Sequence, residues 1–229
     1  MERTPDGLQA TQLGNSALLA LIGGYLDGFT YVGHGHVFAN AMTGNVVLLG
    51  VNLVTGSWHQ GLRHLLPIIT FFFGISAAKA VGWGAQRKVI RYPYLTVLVV
   101  EICVLLGLSF LPSSTPDFWI TTSIAFASSM QVETFREVNG HAFNTTFTTG
   151  NLRTLSENLF DWFFAGRTEE ARGRMWDFSV ICLAFFLGAA GGGFGTLHLG
   201  NRALWVDVLL LVFVLLRLLP KRGQEAVHA

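Results

Sequence analysis

Charged side chains are few in this chain: Asp, Glu, Lys and Arg make up 13% of its 229 residues, against about 25% in an ordinary soluble domain. Those present nearly cancel, 15 Lys and Arg against 14 Asp and Glu, for a formal net charge of +1. No basic stripe is available to meet phosphates, which argues against nucleic acid as a partner. Cysteine is limited to Cys103 and Cys182, both inside apolar runs and without C-x-x-C spacing. That pattern supports neither a disulfide framework nor a metal site, and both read as small buried hydrophobes. Catalytic signatures are missing as well. There is no G-x-S-x-G, no H-E-x-x-H and no Gly-rich phosphate loop after a strand, so an enzyme and a cofactor are not expected. The opening MERTPDGLQATQLGN lacks the basic, apolar and small-residue regions of a signal peptide. The first apolar segment is therefore expected to stay in the membrane.

What the chain has is apolar length. Hydrophobic residues reach 51%, with 19 Phe and 26 Gly, and the mean hydropathy is +0.48. Gly is frequent in membrane helices, where neighbouring helices cover its backbone. A large soluble core does not need charge-poor runs of about 20 residues, the length that crosses a bilayer. Six such runs stand out, at 16–32, 65–83, 94–111, 118–138, 178–196 and 203–219. Two further stretches differ. The segment 37–55 is apolar but interrupted by Asn40, Thr43, Gly44 and Asn45, and 143–165 is too polar at its start to face lipid.

Basic residues set the orientation, because cytoplasmic loops are enriched in Lys and Arg. Arg87, Lys88 and Arg91 place one loop inside, Arg167, Arg172 and Arg174 a second, and Arg217, Lys221 and Arg222 the C-terminus; the connection 112–117 has no basic residue and falls outside. Arg3 adds a little weight for a cytoplasmic N-terminus. On these assignments both odd stretches enter and leave on one side, as broken re-entrant segments. If both instead crossed fully, the chain would have eight spans.

An internal repeat organises the chain. GYLDGFTYVGHGHVFANAMTGN resembles SMQVETFREVNGHAFNTTFTTGN: 106 positions apart, Asp27 meets Glu133, and Thr43-Gly44-Asn45 meets Thr149-Gly150-Asn151. With a one-residue slip, Gly35-His36-x-Phe38 meets Gly140-His141-x-Phe143. FFFGISAA resembles FFLGAAGG further on, and Val100-Glu101 meets Val206-Asp207 at the offset of 106. The halves are read as residues 1–111 and 112–229, each with three spans and one broken segment. Three crossings per half turn the second half upside down, a plan that recurs in transporters with the site near the midplane.

The order of these motifs, above all GYLDGFTYVGHGHVFANAMTGN, resembles the YoaK-like family of small bacterial membrane proteins of unknown function. The resemblance implies a six-span protein of the bacterial inner membrane and supplies no substrate, cofactor or catalytic residue.

Candidate functional residues therefore come from the sequence itself. Asp27 and Glu133 each lie in an apolar segment, where an ionised carboxylate at mid-depth costs about 2.5–3.5 kcal/mol or more. Such acids mark ion or proton routes; the structural alternative is a carboxylate bonded to a backbone break, or paired with Arg136 in the case of Glu133. In the TGN elements, Gly allows a sharp turn while Thr or Asn caps a half-helix. A half-helix N-terminus presents N–H groups to an anion or polar solute. Asn45 and Asn151 would offer amides to it, with Asn40, Asn144 and Thr145 along the approach. His36 and His141 could relay protons beside the acids, or simply belong to polar interfacial loops. Glu101 and Asp207 lie only a few residues into their spans, where headgroups could meet them; Asp207 is expected to be structural, Glu101 is left open, and Lys79 is expected to snorkel. The Gly188–Gly193 run and its counterpart near Gly74 suit close helix packing.

The expectation is an all-α polytopic membrane protein with six transmembrane helices and two broken re-entrant segments in two inverted repeats. It would pass a small polar or ionic solute across the bilayer, with Asp27 and Glu133 as candidates for proton coupling. Its partners would be lipid and that solute, with homo-oligomer formation left open. A membrane scaffold, whose small-residue spans bind partner helices, is the second class. An intramembrane enzyme using Ser128, Ser129, His141 or Glu133 is the third.

Overall fold

The computed structural model of the chain describes residues 9–143, 145 and 148–219. Arg3, Lys221 and Arg222, on which part of the orientation rests, lie outside the described residues, as does Asn144. Apart from one two-stranded turn, the architecture is helical. The helices are α1 Leu13–Gly33, α2 Met42–Val54, α3 Trp58–Gln86, α4 Pro93–Ser109, α5 Asp117–Thr134, α6 Thr148–Phe164, α7 Glu169–Leu199 and α8 Leu204–Leu218. A 3-10 turn, Gly200–Ala203, joins α7 to α8.

By length and composition, two helical stretches are apolar enough to cross a membrane: Trp58–Gln86 and the nearly continuous Glu169–Leu218. Met42–Val54 and Pro93–Ser109 are shorter apolar helices. The distribution of side chains is inverted relative to a soluble bundle. Phe72, Phe73, Phe186, Phe194 and Leu197 are more than half exposed, while Asp27, Asn40, Asn45, His64, Glu101 and Asp207 are buried. An apolar outside around a polar inside is what hydrocarbon solvent selects, since polar groups there must be covered by protein.

The helix over 118–138 expected from the sequence is shorter, because α5 stops at Thr134. Phe135 and Val138 read as more of the span, yet they are buried from a loop. Glu137–Val138 pairs antiparallel with His141–Ala142 around Asn139-Gly140, whose φ values of 48° and 83° are those of a tight hairpin turn. Val138 and Phe143 then pack with Ala20, Phe178 and Ile181 in a small apolar cluster.

Packing follows a crossed scheme. α1 lies along α7 and α5 along α3; α2 packs on α3 and α6 on α7; α4 meets α8. The α1–α7 contact is backbone on backbone. A methyl group added at Gly24 or Gly28 would land on the carbonyl oxygen of Phe185 or Ala189, and one at Gly188 or Gly192 on that of Leu21 or Tyr25. Gly24-x-x-x-Gly28 and Gly188-x-x-x-Gly192 thus interlock, as small residues do where membrane helices approach closely. Gly74 of α3 meets Phe126 and Ser129 of α5 in the same manner.

Gly192→Leu is therefore expected to abolish the folded state, at or beyond the upper end of the usual overpacking cost of about 1–3 kcal/mol. Gly107→Ala, where an added methyl group meets nothing within 4 Å, leaves it intact. Size-exclusion profiles of detergent-extracted protein check this; equal monodisperse peaks for both variants would show that the contact is looser than described.

Candidate functional site

The break between α1 and α2 gathers most of the buried polar groups of the first half. Asp27 sits in α1, fully within the protein, and its Oδ1 accepts hydrogen bonds from the backbone N–H groups of Asn40 at 2.7 Å and Ala41 at 3.3 Å. These amides lie just ahead of α2 and have no helical partner. Thr30 Oγ1 accepts from the N–H of Ala39 at 3.1 Å, and the Asn40 side chain donates to the Gly23 carbonyl at 3.1 Å. The cap expected from the TGN residues is thus supplied by Asp27 instead. Ala41 occupies the capping position and has no side chain to do it.

Asn45 works inward. Its Oδ1 accepts from Phe38 N–H at 3.0 Å and its Nδ2 donates to the Phe38 carbonyl at 2.7 Å, closing the loop 38–45 like a rung of sheet. His64 of α3, also buried, brings Nδ1 to 3.3 Å from the same Oδ1. Gly44 is required locally because the Phe38 ring lies 2.8 Å from where a Cβ would stand. Thr43 is exposed. One acceptor is left over: Asn40 Oδ1 is buried without a hydrogen-bond partner. Asp27, Asn40, Asn45 and His64 therefore form one polar nest at the start of a broken helix.

The second half follows the same plan with different chemistry. Thr149-Gly150-Asn151 again opens a helix, α6, with Thr149 exposed and Asn151 buried. Gly150, unlike Gly44, has open space around it. Thr145 is fully buried and its hydroxyl has no partner. Glu133, however, is engaged by cations: its Oε1 lies 2.7 Å from Lys79 Nζ and 3.4 Å from Arg136 Nη1. The pairing with Arg136 is the structural alternative foreseen for it, and Lys79 anchors α3 to α5 at the same point. The histidines are not brought to the acids. His36 is exposed on the Tyr31 carbonyl at 3.0 Å, at the αL turn Gly35-His36, and His141 lies half-buried in the hairpin. Their neighbour His34 instead reaches Asp117 at 3.1 Å.

The family described as "Protein of unknown function (DUF1275)" matches residues 16–217. The chain belongs to this family. It is also similar to the UPF0700 transmembrane protein YoaK of Bacillus subtilis (strain 168), 24% identical over 206 residues that cover 87% of this chain and 91% of that protein. No solved structure gives a significant match. The YoaK-like membership read from the first TGN element thus extends over nearly the whole chain, and the protein is a membrane protein.

Sequence reasoning missed one member of this polar nest. His64 has no repeat partner and stands alone at the start of a span, so nothing in its spacing pointed to Asn45. Glu101 and Asp207 are both fully buried, on the facing helices α4 and α8.

Asp27→Ala leaves two buried amides without an acceptor, a loss of about 1–3 kcal/mol for each, whereas Asp27→Asn retains an oxygen and loses less. Thermal denaturation in detergent should rank wild type above Asp27→Asn above Asp27→Ala. Indistinguishable midpoints would mean that the carboxylate does not hold the break.

Proposed function

We propose that the protein moves a small polar or ionic solute across the bacterial inner membrane. The observation that carries this reading is the polar nest of Asp27, Asn40, Asn45 and His64, buried at a helix break inside a bundle with an apolar exterior. Non-helical backbone at membrane depth is tolerated where it is covered by protein or lines a cavity. An unpartnered acceptor, Asn40 Oδ1, leaves that nest one donor short, which suits a solute with an N–H or O–H group.

The proposed topology has six spans, two broken re-entrant segments and cytoplasmic termini, with residues 1–111 and 112–229 as inverted halves. The crossed packing supports it: exchanging the halves turns α1 on α7 into α5 on α3, α2 on α3 into α6 on α7, and maps the α4–α8 contact onto itself. α2, with 13 residues, is about 20 Å long, short of the ~30 Å hydrocarbon core. The second reading, a scaffold recruiting partner helices through small-residue stripes, is less favoured, because those stripes are already used between α1 and α7. An enzyme using Ser128 or Ser129 is less favoured too, since their hydroxyls donate to the carbonyls of Ile124 and Phe126 at 2.7 Å.

Flux into proteoliposomes, screened over small polar and ionic solutes, tests the function. Asn45→Ala and His64→Ala should each lower the flux tenfold or more while the protein remains monodisperse. A reproducible protein partner with no flux for any solute would favour the scaffold. Reporter fusions at 112–117, 166–173 and the C-terminus should report outside, inside and inside; an external 166–173 would mean that α6 crosses fully.

A further inference from the structure

Glu101 and Asp207 are both 0% exposed and lie on helices that pack together. Neither has a cationic partner: the ion pairs formed among the described residues involve Asp117, Glu133, Glu157, Glu169 and Glu170. Both carboxyl oxygens of Asp207 are buried with no hydrogen-bond partner among the described residues. Two unpaired carboxylates in an apolar interior would each bear a desolvation cost and would repel one another.

The surroundings show where the compensation comes from. Gln131 of α5 places one atom of its amide 2.9 Å from Glu101 Oε2 and 3.2 Å from Oε1. Its other amide atom lies 3.4 Å from the Leu19 carbonyl. With the amide nitrogen on Leu19, oxygen faces oxygen at Glu101, and only a proton on the carboxyl turns that contact into a hydrogen bond. With the amide reversed, the orientation its neighbours favour, Gln131 donates to both oxygens of Glu101. Glu101 is then hydrogen-bonded whether ionised or not, and the proton falls to Asp207, whose oxygens accept no hydrogen bond among the described residues. Tyr25 of α1 donates its hydroxyl to the Ala203 carbonyl, four residues before Asp207, at 2.9 Å. The four residues form two sets at the same offset of 106 positions, Tyr25 with Gln131 and Glu101 with Asp207. Other titratable groups on the packed helices are committed elsewhere: Asp27 to the α2 break and Glu133 to Lys79 and Arg136.

We propose that Glu101 and Asp207 form a proton-holding carboxyl pair in the centre of the bundle, with Gln131 and Tyr25 as positioning residues. At least one of the two acids carries a proton at neutral pH. The assignment is separate from the solute path proposed above and stands whether or not a solute is moved. A cavity of about 620 Å³ lined by Ser109, Asn201, Arg202 and Trp205 ends within about two turns of Asp207 and provides the side from which the proton would exchange.

Infrared spectroscopy of the purified full-length protein in lipid tests this without any measurement of flux. At neutral pH the wild type should show a carboxylic-acid C=O stretching band, shifted downward after exchange into deuterium oxide. Glu101→Gln and Asp207→Asn should each remove or at least halve it. Gln131→Leu, which keeps both acids, should shift the band without removing it, and serves where an acid variant does not fold. A wild type with no such band overturns the proposal. So does a band that survives both acid variants unchanged, one that ignores Gln131→Leu, or one that sodium ions abolish at constant pH.

Discussion

A chain that leaves the helical conformation inside a membrane exposes amides that no solvent will satisfy, and each costs several kcal/mol if left bare. Here that constraint is met by a carboxylate from another helix. Asp27 accepts from Asn40 and Ala41, and Asn45 ties both polar groups of Phe38 to itself. Everything around the break follows. α1 must hold Asp27 at the depth where α2 begins, so α1 must be fixed along its length. The interlocked glycines against α7 do this by bringing backbone to backbone. His64 then has a fixed oxygen to meet, which places α3.

The same physics explains which parts of the molecule could be read from the sequence. Long apolar runs and small-residue stripes are local signals, and helices formed over most of each run, with Gly188 and Gly74 at close contacts as their composition implied. TGN marked the start of α2 and of α6 because Gly and Asn favour a point where the chain changes direction. Asp27 was legible as a candidate because a lone acid in an apolar run demands a reason. Its engagement with backbone amides was one of two readings the sequence left open.

What stayed hidden depends on tertiary placement. Phe135 and Val138 are as apolar in a hairpin as in a helix, so their burial, Phe135 in the main core and Val138 beside Phe178, could not be told from a continuing span. The burial of Glu101 and Asp207 depends on the packing of α4 against α8, which has no periodicity to detect. The cation on Glu133 was half legible. Arg136 is three residues away and visible in sequence, while Lys79 arrives from α3, 54 positions earlier in the chain.

The two acids of the repeat show how one scaffold can support two chemistries. Helix order and crossed packing treat the halves alike, so the positions of Asp27 and Glu133 are equivalent in plan. Their surroundings are not. Asp27 is buried and spends one oxygen on backbone amides, while Glu133 is partly open and bracketed by two cations. The break before α2 is thereby fixed by a hydrogen-bonded carboxylate, whereas Glu133 in the second half is held by ion pairs on the exposed side of the bundle. Ion pairs open to solvent contribute little and rearrange readily. If the bundle alternates between two states, the compliant end is then the second half, around α5 and α6, with the α1–α2 break serving as the rigid frame against which it moves.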